Sequence, residues 1–355
     1  MSPTHHPVAV VAGGSAGVGR ATVDALLDRG YRVAVLARGQ ERLDEMAAEL
    51  GDRIWTEAVD VSDGTMLDQA ANRIVAELGV PEIWVNSAML TSFSPFDKVD
   101  ETEFRKITDT TYLGTVNGCR AALRIMSRGN IVNVGSGLAY VSVPNQAAYC
   151  GAKHAVEGFT QSLRIEIRRA GRPITLSMVQ LPAVNTPQFD WARNRMDRKP
   201  QPAPPIFQPE VAARGILRAI DTDAREMLVG SSVLKLMVGN ILVPDVVESR
   251  LEDEGVRMQK SDRPTEDGPD NLDGPVRDQA ATAHGPYDSR AYDDGLIVDG
   301  DLMRKVLVFG GAAAILGLGI LVGRSTKPAN GSSPQQDRNG TSALPFYHRP
   351  TEYRS

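Results

Sequence analysis

The stretch Val8 to Arg20, VAVVAGGSAGVGR, decides the fold. Its first five residues are apolar and rich in valine, the composition of a strand buried on both faces. Glycines at 13, 14, 17 and 19 then turn the chain, and apolar residues return at Val23, Leu26 and Leu27 with helical spacing. A strand that passes through a glycine-rich turn into a helix N-terminus builds an anion site. Glycines admit a phosphate close to the backbone, and free amides and the helix dipole face it. The stretch predicts a nucleotide ligand, held by Gly13, Ser15, Gly17, Val18 and Gly19. Its spacing is not GxGxxG, so the turn taken alone also reads as a tight strand-to-helix connection.

Outward from this point the same alternation repeats to about residue 230. Strands are expected at Val8–Ala12, Arg32–Ala37, Ile54–Val59, Glu82–Asn86, Asn130–Gly135, Ile174–Gln180 and Glu226–Val229, with helices beginning near Gly17, Gln40, Ser62, Glu101, Ala147 and Gln208. This pattern predicts an α/β fold over residues 1–248, a Rossmann-type doubly wound parallel sheet of seven strands with helices on both faces. From Ala183 to Pro209 six prolines interrupt the rhythm, and residues 183–209 read as a lid over a pocket. Its Phe189, Trp191, Met196 and Phe207 suit an apolar ligand or, equally, ordinary packing. The second strand ends without the acidic residue that binds the ribose of NAD, and Arg38 follows at once. A guanidinium there suits a 2′-phosphate, with Ser15 as a further donor, so the expected cofactor is NADP(H).

Composition excludes several classes. A chain of 355 residues with 42% hydrophobic and 23% charged side chains is not wholly disordered. A net charge of -5 without a basic stripe argues against nucleic acid. Cys119 and Cys150 are the two cysteines, and with His5–His6 as the densest histidine cluster no metal site or disulfide framework is expected. The short apolar run at the N-terminus predicts no secretory leader, and a reducing cytoplasm fits. From Glu252 to Asp301 fourteen acidic residues stand against five basic ones, so residues 249–301 read as an acidic, disordered linker. Val306 to Gly323 holds 18 residues without a charge, about 27 Å of helix. Residues 302–324 are therefore a candidate transmembrane helix and 325–355 a disordered polar tail, which would leave a cytoplasmic catalytic domain anchored to a membrane.

The chemistry lies further along. The fifth expected strand ends at Ser136, and Tyr149-Cys150-Gly151-Ala152-Lys153 follows at the head of a helix. Tyr149 and Lys153, four apart, share a helical face, so the ammonium can favour the ionised phenol and make it a proton donor and acceptor near neutral pH.

In this ordered set the chain closely resembles the short-chain dehydrogenase/reductase family over roughly residues 7 to 230. The matching elements are AGGSAGVG (12 to 19), Asp60-Val61, Asn86-Ser87-Ala88, Ser136, Tyr149-x-x-x-Lys153 and Pro182-Ala183-Val184-Asn185-Thr186. The resemblance implies that Asp60 and Val61 flank the adenine, that Asn86 and Ala88 help hold sheet and cofactor, and that Val184 and Thr186, after Pro182, contact the nicotinamide amide. It implies hydride transfer between the nicotinamide and a carbonyl carbon of a ketone, aldehyde or alcohol. Tyr149 would exchange the proton, Ser136 would bond the substrate oxygen, and Lys153 would tune Tyr149 and hold the ribose. It also implies a homo-oligomer, a dimer or tetramer. Three departures from the family stand in the sequence: Ala12 for a leading threonine, Asn86-Ser87-Ala88-Met89 for Asn-Asn-Ala-Gly, and Thr111 where many members carry a relay asparagine. The departures leave open an alternative, a catalytically weak NADP-binding regulatory or scaffold protein of the same fold.

Overall fold

Alternate residues of the first strand feed two different cores, which is why its sequence is continuously apolar. Ala9 and Val11 join one cluster with Val33, Leu43 and Val211, while Val8 and Val10 join another with Leu67, Cys119 and Ile167. The structure is a computed structural model and describes residues 6–265, 268, 270–277 and 280–309. Seven strands, β1 (Val8–Ala12), β2 (Arg32–Ala37), β3 (Ile54–Ala58), β4 (Ile83–Asn86), β5 (Gly129–Val134), β6 (Ile174–Gln180) and β7 (Glu226–Val229), pair in parallel in the order 3-2-1-4-5-6-7. An eighth, β8 (Ile297–Asp299), is antiparallel to β7 at the edge. The sequence pattern anticipates the first seven and misses β8, a three-residue strand inside the expected linker.

Helices α1 (Gly17–Asp28) and α2 (Gln40–Leu50) cover one face together with α7 (Pro209–Asp221). The other face carries α3 (Gly64–Glu77), α4 (Glu101–Thr108), α5 (Gly114–Ile125) and α6 (Ala147–Arg169). A π-helical turn, Asp109–Leu113, joins α4 to α5. After β7 come α8 (Ser231–Leu242) and α9 (Pro244–Gln259). Because strand order reverses between β1 and β4, a crevice opens at the carboxyl ends of these strands, the usual ligand position in such sheets.

The expected linker is instead built into the domain. Within residues 249–301 lie most of α9, the strand Lys260–Pro264 paired with Arg198–Pro200, and β8. Leu272, Val276, Ala283 and Tyr287 are buried. The acidic residues that suggested disorder find cations: Asp270 and Asp273 bind Arg193, and Asp301 binds Arg225. Chain contacts accordingly group Met1–Arg304 as one unit, past the expected boundary at 248, and Lys305–Ser355 as a second. Among the described residues no helix is long and apolar enough to cross a membrane. Residues 310–324 of the expected span, and the tail 325–355, lie outside the described residues.

Candidate active site

The carboxyl ends of the parallel strands and the loops after them deliver the parts of a cleft of about 730 Å³. The glycine turn forms its floor. Gly13 has φ +86°, and a Cβ there would stand 2.5 Å from the Ala88 nitrogen. Gly17 has φ +56°, and a Cβ there would crowd Thr186 at 3.1 Å. Both positions require glycine for conformation and for space. The Gly17 N–H donates to the Thr282 carbonyl at 3.0 Å, and the backbone of Val18 and Gly19 on the cleft lining at the N-terminus of α1 fits a dinucleotide's pyrophosphate.

Most expected residues converge here. Gly13, Ser15, Gly17, Val18 and Gly19 line the cleft with Arg38, Val61, Ala88, Ser136, Tyr149, Lys153, Pro182, Val184 and Thr186. Three do not. Asp60 turns to its own loop, accepting from the Ser62 backbone N–H (2.9 Å) and hydroxyl (2.7 Å). Asn86 is buried between strands, donating to Asn133 Oδ1 (2.8 Å) and accepting from Trp84 Nε1 (2.9 Å). Thr111 also faces away, and Thr110 takes its place on the wall. The Thr111 hydroxyl accepts from the Leu90 N–H at 3.0 Å and donates to the Leu90 carbonyl at 3.1 Å, bracing the loop after β4. Its one proton is thereby committed, which removes the donor that a relay role would use.

Ser136 caps the turn after β5, its Oγ accepting from the Leu138 N–H at 3.1 Å, and Gln180 Oε1 on β6 accepts the Ser136 N–H at 2.8 Å. Gln180 is a positioning residue the sequence reading missed, since nothing in a strand-end glutamine reveals its direction. Lys153 is buried, lies 5.6 Å from the centre of the Tyr149 ring and donates from Nζ to the Val134 carbonyl at 2.7 Å. Burial lowers the Lys153 pKa from its ordinary 10.5 to about 8. The phenol behaves differently from the expectation. Burial raises the Tyr149 pKa well above its ordinary value, although a hydrogen bond with Ser136 opposes the shift. Desolvation outweighs the neighbouring cation because that cation is itself desolvated and aimed at a carbonyl.

Arg38 is largely enclosed, and its Nη2 donates to the Asn271 carbonyl at 2.6 Å. Arg42, unmarked by the sequence reading, also lines the cleft and stacks 4.4 Å over the ring of Trp191. In the expected lid Phe189 and Trp191 reach the cleft. Met196 and Phe207 belong to the packing instead, in clusters with Phe93 and with Val211 respectively. Leu236 from α8 and Val247, Leu251 and Met258 from α9 add an apolar wall, joined by Val143 from the loop before α6. Among the described residues no cluster of side chains could hold a metal ion.

The arrangement is shared. The family model for short chain dehydrogenases matches residues 7–197. An uncharacterized oxidoreductase, YxnA of Bacillus subtilis, is 28% identical over 267 residues, covering 73% of this chain and 75% of its own. A short-chain dehydrogenase from Streptomyces avermitilis superposes with a TM-score of 0.60 at 26% identity, over 72% of this chain and 98% of that one. One from Burkholderia cenocepacia, solved with NADP, gives 0.59 at 26% identity over 70% and 98%. The chain belongs to the short chain dehydrogenase family and is an NAD(P)-dependent oxidoreductase.

Proposed function

We propose that the protein uses NADPH to reduce an apolar ketone or aldehyde, and runs the alcohol oxidation in reverse. The observation that carries this reading is the convergence of Tyr149, Ser136 and Lys153 on the wall of the cleft that begins at the glycine turn. Bound NADPH supplies the hydride. Tyr149, kept protonated by its surroundings, donates the proton to the oxygen of the substrate, and the Ser136 hydroxyl bonds that oxygen as charge develops on it. Lys153 fixes the floor beneath Tyr149 through Val134 and offers its remaining donors to the ribose. Arg38, with Ser15, supports NADP(H) over NAD(H), and the solved relative from Burkholderia cenocepacia holds NADP. The wall of Val143, Leu236, Val247, Leu251 and Met258 supports an apolar substrate.

Exposed Phe104 and Leu113 along α4 and the π turn, and Ile165 on α6, support a homo-oligomer through these helices. The uncharged run Val306 to Gly323 supports attachment to a membrane, with the NADPH-fed domain in the cytoplasm. Retention in the membrane fraction after alkaline carbonate extraction is the expected result, and full release contradicts it. The activity is tested with a panel of apolar ketones and aldehydes under NADPH and NADH. We expect turnover with NADPH at least ~10-fold above NADH, and a gap in Arg38→Ala narrowed by the loss of one charged hydrogen bond, about 1.5–3 kcal/mol. Equal use of both cofactors by the wild type contradicts the Arg38 assignment.

A further inference from the structure

Residues 270–277 cross the mouth of the cleft and are held on both of its banks. On the bank of α4 and α6, Leu272 is 2% exposed and packs with Leu90, Ile107 and Ala148, with Tyr149 against the same cluster. Asp270 and Asp273 flank it there, bound to Arg193 at 2.6 and 2.7 Å, and Asp273 also takes Lys106 at 2.6 Å. On the bank of α2, the Asn271 carbonyl accepts from Arg38 and the Val276 carbonyl from Arg42, each at 2.6 Å. A Cβ at Gly39 would stand 3.1 Å from Pro275. Asn271, Pro275 and Val276 themselves form part of the cleft lining.

Resting on the dinucleotide reading above, we propose that this segment is a strap that retains the cofactor, so that NADP(H) enters and leaves only when the strap lifts. The anchors suit such a task. Asp273 and Lys106 are well exposed, and exposed ion pairs hold weakly, so the strap opens far more often than the sheet unfolds. Leu272 provides the apolar latch, and its neighbour Tyr149 couples the latch to the reaction centre. The Asn271 carbonyl occupies one of the five N–H donors of Arg38 and leaves the others for a phosphate. Closure over a bound dinucleotide slows both its arrival and its departure, so loosening the strap speeds both rates and moves the equilibrium affinity less.

The test uses the full chain, with NADPH fluorescence followed by stopped flow for binding and for displacement by excess NADP+. Wild type is compared with Leu272→Ser and Asp273→Ala. The expected result is a dissociation rate raised about tenfold in Leu272→Ser, less in Asp273→Ala, with association faster in both. Rates within twofold of wild type in folded variants overturn the strap and leave the cofactor reading standing. If the wild type binds neither NADPH nor NADH, both fall. Should Leu272→Ser fail to fold, hydrogen exchange of residues 270–277 in the wild type decides the matter. Exchange slowed tenfold or more by saturating NADPH supports the strap, and exchange unaffected by NADPH overturns it.

Discussion

On the proposed reading Tyr149 acts as a neutral phenol, which sets the direction of easy catalysis. An acid that keeps its proton through neutral pH serves carbonyl reduction directly, whereas alcohol oxidation needs that proton removed first. Oxidation is therefore expected to accelerate with rising pH while reduction stays level from pH 6 to 7.5, and a reduction rate that falls across that range contradicts it. Lys153 carries a stability cost of the opposite kind to a salt bridge. Its folded pKa of about 8 lies below its ordinary 10.5, so below pH 8 the fold must bury a charge, and stability rises as pH climbs from about 8 toward 10.5. Lys153→Met is expected to be more stable than wild type at pH 7 by on the order of 1–3 kcal/mol in urea unfolding, with the gap closing by pH 10. A constant gap contradicts the assignment. Thr111→Ala strands both backbone groups of Leu90 and should cost about 1–3 kcal/mol while leaving the pH profile of catalysis unmoved. Ser136, Tyr149 and Lys153 were legible because strand end and helical phase fix where such side chains point. Thr111 and Asn86 were not, since their polar ends turn to Leu90 and Asn133, brought by a distant loop and strand, and Asp60 was not, since it turns to Ser62 in its own loop.

At the scale of elements, long apolar strands announce themselves, and all seven parallel strands stand within a residue or so of where the hydrophobic pattern puts them. The short ones do not. β8 has three residues, and Arg198–Pro200 pairs with Lys260–Pro264 across sequence that is locally polar and proline-rich. Their pairing is decided by tertiary contact rather than by intrinsic preference. One such contact is titratable. His284 lies 2.8 Å from Glu210 on α7 and 2.7 Å from Asp288. Burial pulls its pKa down, yet the hydrogen bonds to Asp288 and Glu210 outweigh burial and raise it above 6.5. The stabilisation is thus fully present below pH 6.5 and is lost as pH rises through the folded value. Because the site is partly exposed, the gain is below about 1 kcal/mol. His284→Gln should abolish this pH-dependent increment in thermal unfolding, and an unchanged pH dependence removes the clamp from the account.

For the whole molecule, composition misled where charge was matched in space. Acidic residues between 249 and 301 look like a solvated linker until Arg193, Arg225 and His284 are seen to receive them. A chain ending at 248 loses most of α9, β8 and the burial of Leu272, Val276 and Tyr287, each side chain contributing about 1.5–3 kcal/mol. Its melting temperature is expected to fall by on the order of 10 °C or more relative to a chain ending at 304, and equal melting contradicts the single-unit description. The central claim, that a buried phenol in a dinucleotide cleft passes the proton, is tested most directly by Tyr149→Phe, assayed for NADPH binding and for turnover of an apolar ketone in parallel. The account predicts NADPH affinity within about threefold of wild type and turnover reduced about 10²–10⁴-fold. Turnover equal to wild type with affinity intact would contradict it.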